Sequence, residues 1–161
     1  MKLINNQTFC AGGKSPLIIF DDADVDDAAT WAHSAIMVNM GQCCNAASRT
    51  FVQEGIYEKF VAKSKKLAKE LEAKTGAAFG EFGVPDPAHG PLITESQMKK
   101  VLNYIDSGVK EGAQLVSGGQ RMGDRGYFVA PTVFAGVTDN MRIAREEIFG
   151  PVEARAIFCF A

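Results

Sequence analysis

Leu17-Ile18-Ile19-Phe20-Asp21-Asp22-Ala23-Asp24-Val25-Asp26-Asp27-Ala28-Ala29-Thr30 opens the stretch that decides the fold. A short apolar run, Leu17 to Phe20, stops against acidic residues and reads as a buried strand. Asp24 then stands where a helix N-cap is needed, with Asp26 and Asp27 in the first turn, where the helix dipole favours negative charge. This predicts a helix from about Val25 to Asn39, ended by Gly41. The connection Gly41-Gln42-Cys43-Cys44-Asn45 leads to Arg49-Thr50-Phe51-Val52-Gln53, which has strand character.

The same alternation continues downstream. Ile56 to Lys74 reads as a helix with Ile56, Phe60, Leu67 and Leu71 on one face and lysines and glutamates on the other. Gly76 to Gly90 reads as a loop rich in Gly and Pro. Thr94-Glu95-Ser96-Gln97 has the pattern of a capping box. Its helix presents Met98, Val101, Leu102, Ile105 and Val109, and Gly112 closes it. Gln114 to Val116 and Tyr127 to Val129 read as strands, Met141 to Glu147 as a short helix, and Val152 to Phe160 as a final strand. The expected fold class is α/β, a largely parallel sheet with flanking helices.

With 161 residues, 47% hydrophobic and 22% charged, the chain has the balance of a globular domain that needs no staples. Its net charge is −2, from 17 basic and 19 acidic side chains, so no basic excess points to nucleic acid or a membrane surface. Met1 to Gln7 is too polar for a secretory signal, and no apolar run approaches a bilayer span. Cys10, Cys43, Cys44 and Cys159 form no regular framework, which fits a reducing compartment. The cytoplasm is the expected location, with the mitochondrial matrix as the alternative.

A thiol at a helix–strand junction can be exposed while rigid elements hold its backbone, and a thiolate there is a strong nucleophile. The competing reading of Cys43-Cys44 is one buried hydrophobe and an incidental neighbour, which composition by itself favours. Metal binding is not expected: no Cys-x-x-Cys occurs, and His33 and His89 lie far from the cysteines in sequence. His33 reads as a helix-surface or packing residue, and His89 as a solvated turn residue. Gly12-Gly13-Lys14-Ser15 has neither the glycine spacing nor the preceding strand of a phosphate-binding loop. Its glycines read instead as room for close backbone approach. Glu146 and Glu147, as an isolated pair, read as a solvated helix end.

Taken together, these segments resemble the NAD(P)-dependent aldehyde dehydrogenases of the retinal and acetaldehyde type. Gly41-Gln42-Cys43-Cys44-Asn45-Ala46-Ala47-Ser48-Arg49 resembles the family's catalytic-cysteine motif. Glu146-Glu147-Ile148-Phe149-Gly150-Pro151-Val152, Gly12-Gly13-Lys14-Ser15-Pro16, Gly126-Tyr127-Phe128 and Pro131-Thr132-Val133 also match, in family order. The resemblance implies that Cys44 attacks an aldehyde carbonyl and that its N–H helps hold the oxyanion. It implies that Glu147 binds the nicotinamide ribose of NAD or NADP, with Phe149 beside the ring, and that Gln97 and Lys100 face the adenosine ribose. It also implies a partition into an atypical N-terminal segment, 1–11, and a partial catalytic domain, 12–161.

This sequence departs from the family pattern in one decisive place. Cys10 occupies the position of the family's general-base glutamate, and a thiol does not replace a carboxylate as a water-activating base. The upstream coenzyme-binding region has no counterpart, so the coenzyme site is expected to be incomplete and the isolated chain inactive in aldehyde oxidation. Lys2 to Phe9 faintly resembles the family's first strand. The alternatives are a non-catalytic module that associates with full-length homologous subunits, and a thiol hydrolase or redox protein built on Cys44.

Overall fold

Asp24 caps the first helix as its position predicts, its carboxylate accepting the Asp27 N–H at 2.9 Å. In this computed structural model, which describes residues 13–75 and 89–159, that helix follows directly on an edge strand. The elements run β1 (Pro16–Ile19), α1 (Val25–Met37), β2 (Arg49–Gln53), α2 (Tyr57–Lys74), α3 (Glu95–Lys110), β3 (Gln114–Ser117), β4 (Arg121–Met122), β5 (Phe128–Val129), β6 (Thr132–Ala135), α4 (Arg142–Arg145) and β7 (Val152–Phe158). The Lys2–Phe9 strand, the 1–11 segment, Cys10, Gly12 and most of the loop from Gly76 to Gly90 lie outside the described residues.

The main sheet has the order β1-β2-β7-β6-β3. Its first four strands are mutually parallel, and β3 joins the edge antiparallel to β6. Each parallel step requires a crossover, and α1 and α2 supply cover on one face. There Ile19, Ala29, Ala32, Val52, Phe60 and Ala135 form one core. On the opposite face α3 packs Val101 and Ile105 against Phe134, Val152 and Ala154. The central strand β7 is therefore buried on both faces from Val152 to Arg155. Two of those residues are charged. Arg155 and Glu153 pair at 2.6 Å with neither exposed, Thr50 donates to Glu153 at 3.2 Å, and the guanidinium lies 4.8 Å from the Phe60 ring centre.

Several sequence expectations shift where tertiary packing outweighs pattern. The first helix stops at Met37, and Val38–Gly41 forms a separate kinked turn. Ile56 belongs to a short 3-10 turn, while Tyr57, Ser64 and Ala68 join Phe60 on the buried side of α2. Val109 is 48% exposed, whereas Tyr104 and Gly108 turn inward on α3. Gly112 does end that helix with φ +94. Two strands went unread: β4, a two-residue partner of β5, and β6, whose four residues are all buried. The predicted helix from Met141 to Glu147 shrinks to α4. Among the described residues no helix is long and apolar enough to cross a membrane.

Candidate active site

Three adjacent parallel strands, β1, β2 and β7, receive the chain at the same end of the sheet, where the strands begin. The segments entering them are Gly13–Ser15, Gly41–Ser48 and Glu147–Pro151, distant in sequence and adjacent in space. Ser15 O accepts the Arg49 N–H at 3.2 Å and Ser48 O accepts the Ala154 N–H at 3.1 Å, lacing the three entries together. A narrow crevice of about 10 Å³ lies between Gly13, Gly41, Cys43, Glu147, Phe149 and Gly150. That is roughly the room of one water.

The thiol turn is held by backbone geometry. Asn39, Met40 and Gly41 take φ values of 50, 55 and 70, a left-handed run that breaks the helix and reverses the chain. At Gly41 a Cβ would sit 2.0 Å from Gly150 O, so only glycine permits this contact. Gln42 then anchors the turn: its Oε1 accepts the Ile93 N–H at 3.0 Å, and Asn39 Nδ2 donates to Gln42 O at 3.0 Å. Cys43 O accepts from Ala46 N at 3.1 Å, and Cys44 O accepts from Ser15 Oγ at 3.0 Å.

The two thiols differ. Cys43 is half-buried against the cluster of Ile36, Met37 and Ala46, while Cys44 is exposed. The Cys44 N–H and thiol donate to no group among the described residues.

The two glutamates also part company. Glu146 accepts from Tyr104 Oη at 2.7 Å and from Arg142 Nε at 3.1 Å, and these two bonds hold its carboxyl below the usual range. Glu147 is half-buried and lines the crevice with no hydrogen bond among the described residues. Phe149 sits at φ 58, an uncommon conformation for an aromatic residue. The Gln97 amide secures it, donating to Ile148 O at 3.1 Å and Phe149 O at 2.7 Å. The expected capping box is therefore only half made. Thr94 Oγ1 accepts the Gln97 N–H at 3.2 Å, but the Gln97 side chain turns to the neighbouring loop. Lys100 is exposed, its ammonium 5.9 Å from the Tyr104 ring centre.

Lys14, set aside in the sequence with the phosphate-loop pattern, reaches this region. Its Nζ is buried without a hydrogen-bond partner among the described residues. Burial, and secondarily the Arg49 cation, push its pKa down to about 8, against the attraction of Glu147. No pattern in the sequence signals a buried amine, because burial here depends on segments more than 100 residues apart. Gly13 does not serve close approach, since a Cβ there would meet nothing within 4 Å. His89 is not a solvated turn residue: it is 3% exposed, with Nε2 bonded to Val129 O at 3.0 Å. His33 is also buried. Among the described residues no group of three His, Cys, Asp or Glu side chains is disposed to hold a metal ion.

The family model described as "Aldehyde dehydrogenase family" matches residues 2–158. The chain belongs to the aldehyde dehydrogenase family. It is 54% identical over 142 residues to an aldehyde dehydrogenase of Enchytraeus buchholzi, a match covering 88% of this chain and 27% of that protein. Over 142 residues, and again 88% of this chain, it is 50% identical to "Aldehyde dehydrogenase, cytosolic 2" of Macroscelides proboscideus, covering 57% of that protein. Among solved structures, the NAD+ complex of a Bacillus cereus aldehyde dehydrogenase superposes with TM-score 0.84 and 46% identity, covering 92% of this chain and 29% of that one. This aldehyde dehydrogenase chain thus spans little more than a quarter of the length of the first of these relatives.

Proposed function

We propose that this chain supplies the nucleophile of an NAD(P)-dependent oxidation of aldehydes to carboxylic acids, with Cys44 as the attacking thiol. The observation that carries this reading is the contrast at the turn: Cys44 is exposed on a backbone tied down at the carbonyls of both cysteines. The Cys44 thiol gives its proton to solvent, the thiolate sulfur forms a bond to the aldehyde carbon, and the carbonyl π pair moves to oxygen, giving a thiohemiacetal oxyanion. The unspent Cys44 N–H is a ready donor to that oxygen. A bound nicotinamide coenzyme supplies the hydride acceptor for this chemistry. Water cleaves the resulting thioester, returning the thiol and releasing the acid, a step for which position 10 offers a cysteine and no carboxylate base.

The residues present suit such a coenzyme. Glu147 offers a half-buried carboxylate whose oxygens take no other hydrogen bond among the described residues, as two ribose hydroxyls require. Phe149 lies beside it, and exposed Lys100 stands on α3. Gln97 contributes mainly by holding the Ile148–Phe149 backbone in place. The relatives favour the same assignment, since the solved Bacillus cereus protein binds NAD+. A cytosolic location accords with the name of the Macroscelides relative.

The test is selective labelling of the full chain with iodoacetamide, read by peptide mapping, alongside release of nitrophenol from 4-nitrophenyl acetate. Cys44→Ala should remove both the fastest-labelling site and the acyl burst, and Cys43→Ala should keep them. The reverse pattern would overturn the assignment. A second reading, a module that associates with other aldehyde dehydrogenase subunits, is favoured by the exposed apolar residues Ile18 and Phe20 on β1 and its flank. Co-purification of the chain with a full-length relative separates it from the first.

A further inference from the structure

The two halves of the site hang on one support, the start of α3. On one side Gln97 braces the loop that carries Glu147 and Phe149, donating to Ile148 O and Phe149 O. On the other side Gln42 reaches across from the thiol turn, where its Oε1 accepts the Ile93 N–H at 3.0 Å. Ile93 lies between two fixed points. Before it, Leu92 is buried and its N–H donates to Tyr127 O at 2.9 Å. After it, Thr94 caps α3 by accepting the Gln97 N–H. The Gln42 amide therefore meets a donor whose position the core and the helix already set.

The thiol turn needs such a tie. Asn39 and Met40 take left-handed conformations that non-glycine residues adopt only under constraint. On the upstream side the contact of Gly41 with Gly150 supplies that constraint. Beyond it, Cys43 and Cys44 belong to no helix or strand. Gln42 stands between the sealed glycine and the thiols, and its side chain bonds in two directions, to Ile93 and, through Nε2, to Asn39 O at 3.3 Å. The bond to Ile93 lies at the surface, so water can replace a lost partner at little cost to folding. Water cannot restore the geometry, and a displaced nucleophile loses rate steeply. We infer that Gln42 is a positioning residue for the nucleophile: its Oε1, held by the Ile93 N–H, sets the Cys44 thiol in place relative to the Glu147–Phe149 loop. This inference rests on Cys44 being the attacking thiol and adds the group that aims it.

The test uses the full chain and its acylation by 4-nitrophenyl acetate, followed as the rate of the nitrophenol burst. Gln42→Met removes both amide bonds at similar side-chain length. Gln42→Glu keeps an oxygen for the Ile93 N–H and loses only the donation to Asn39 O, which still accepts the backbone N–H of residue 42. The burst should slow about tenfold or more in Gln42→Met and stay within about threefold of the parent in Gln42→Glu, with the urea midpoints of all three close together. Hydrogen exchange at the Ile93 amide should quicken in Gln42→Met and not in Gln42→Glu. An unchanged burst in Gln42→Met, a Gln42→Glu as slow as Gln42→Met, or unaltered Ile93 exchange would each overturn the inference and leave Cys44 as the nucleophile. A parent without a burst, or one whose burst survives Cys44→Ala, would overturn the reading of Cys44 and this inference with it. Should Gln42→Met not fold, Gln42→Asn, whose amide is one methylene shorter, replaces it. Loss of the fold in both would make the residue structural and overturn the inference.

Discussion

The entries to β2 and β7 meet in one site but are built in opposite ways. Before β7, Gly150 is buried, and its carbonyl presses on Gly41 with no space for a methyl group. Before β2, Cys44 and Asn45 stand out into solvent. A closed backbone seam supports an open side chain. Close packing resists displacement far more than a surface turn does, so an exposed thiol can still have a defined position when its neighbours are sealed. The seam should therefore carry stability, and the tip should carry reactivity.

The largest effect is expected from breaking the seam. Gly41→Ala combines a Cβ at 2.0 Å from Gly150 O with a left-handed φ of 70. It should destabilise by about 3 kcal/mol or more, or abolish folding, as measured by urea denaturation. A slow-exchanging, cooperatively folded G41A protein would mean that the seam is softer than its geometry.

Lys14 gives an effect of opposite sign. Its folded pKa of about 8 lies below the ordinary 10.5, so between these values the unfolded chain binds more protons. Stability should rise as pH increases through that window, and the penalty is fully present below it. Lys14→Met should remove this rise and stabilise the protein at neutral pH by up to about 3 kcal/mol. Parallel stability–pH profiles of parent and variant would exclude the buried amine as their source.

A smaller loss is expected from Gln97→Leu, which deletes both bonds to the Ile148 and Phe149 carbonyls. About 1–2 kcal/mol should be lost, with earlier proteolytic cleavage near Phe149. Smallest of all, Cys44→Ser should change stability by less than about 0.5 kcal/mol while removing the fast-labelling thiol. Cys43→Ser, which places a hydroxyl against Ile36 and Met37, should cost about 1 kcal/mol. Equal costs at the two positions would erase the distinction between seam and tip.

Much of the proposed site was named before any coordinates. Cys44, Glu147 and Phe149 were named from motif resemblance, and Asp24 from local capping chemistry. Gln97 was legible as a cap but not as a brace for the next loop, because its partners lie about 50 residues away. His89 was misjudged, and the burial of the Lys14 amine went unread, for a related reason. A polar residue among glycines and prolines is ordinarily solvated, and nothing local shows that distant segments will cover it. β6 was missed because a four-residue run buried on both faces has no alternation to detect.

By itself the sequence determined the alternation of strands and helices, the capped start of α1 and the chemistry carried on the turn before β2. These depend on neighbours within a few residues, where propensity, capping and motif spacing act. Only the tertiary structure decided that Gly41 seats on Gly150, that Glu147 and not Glu146 lacks a hydrogen bond among the described residues, and that the Lys14 amine and two histidines are buried. Those outcomes depend on the order of strands in the sheet, which brings segments about 100 residues apart to the same end of adjacent strands.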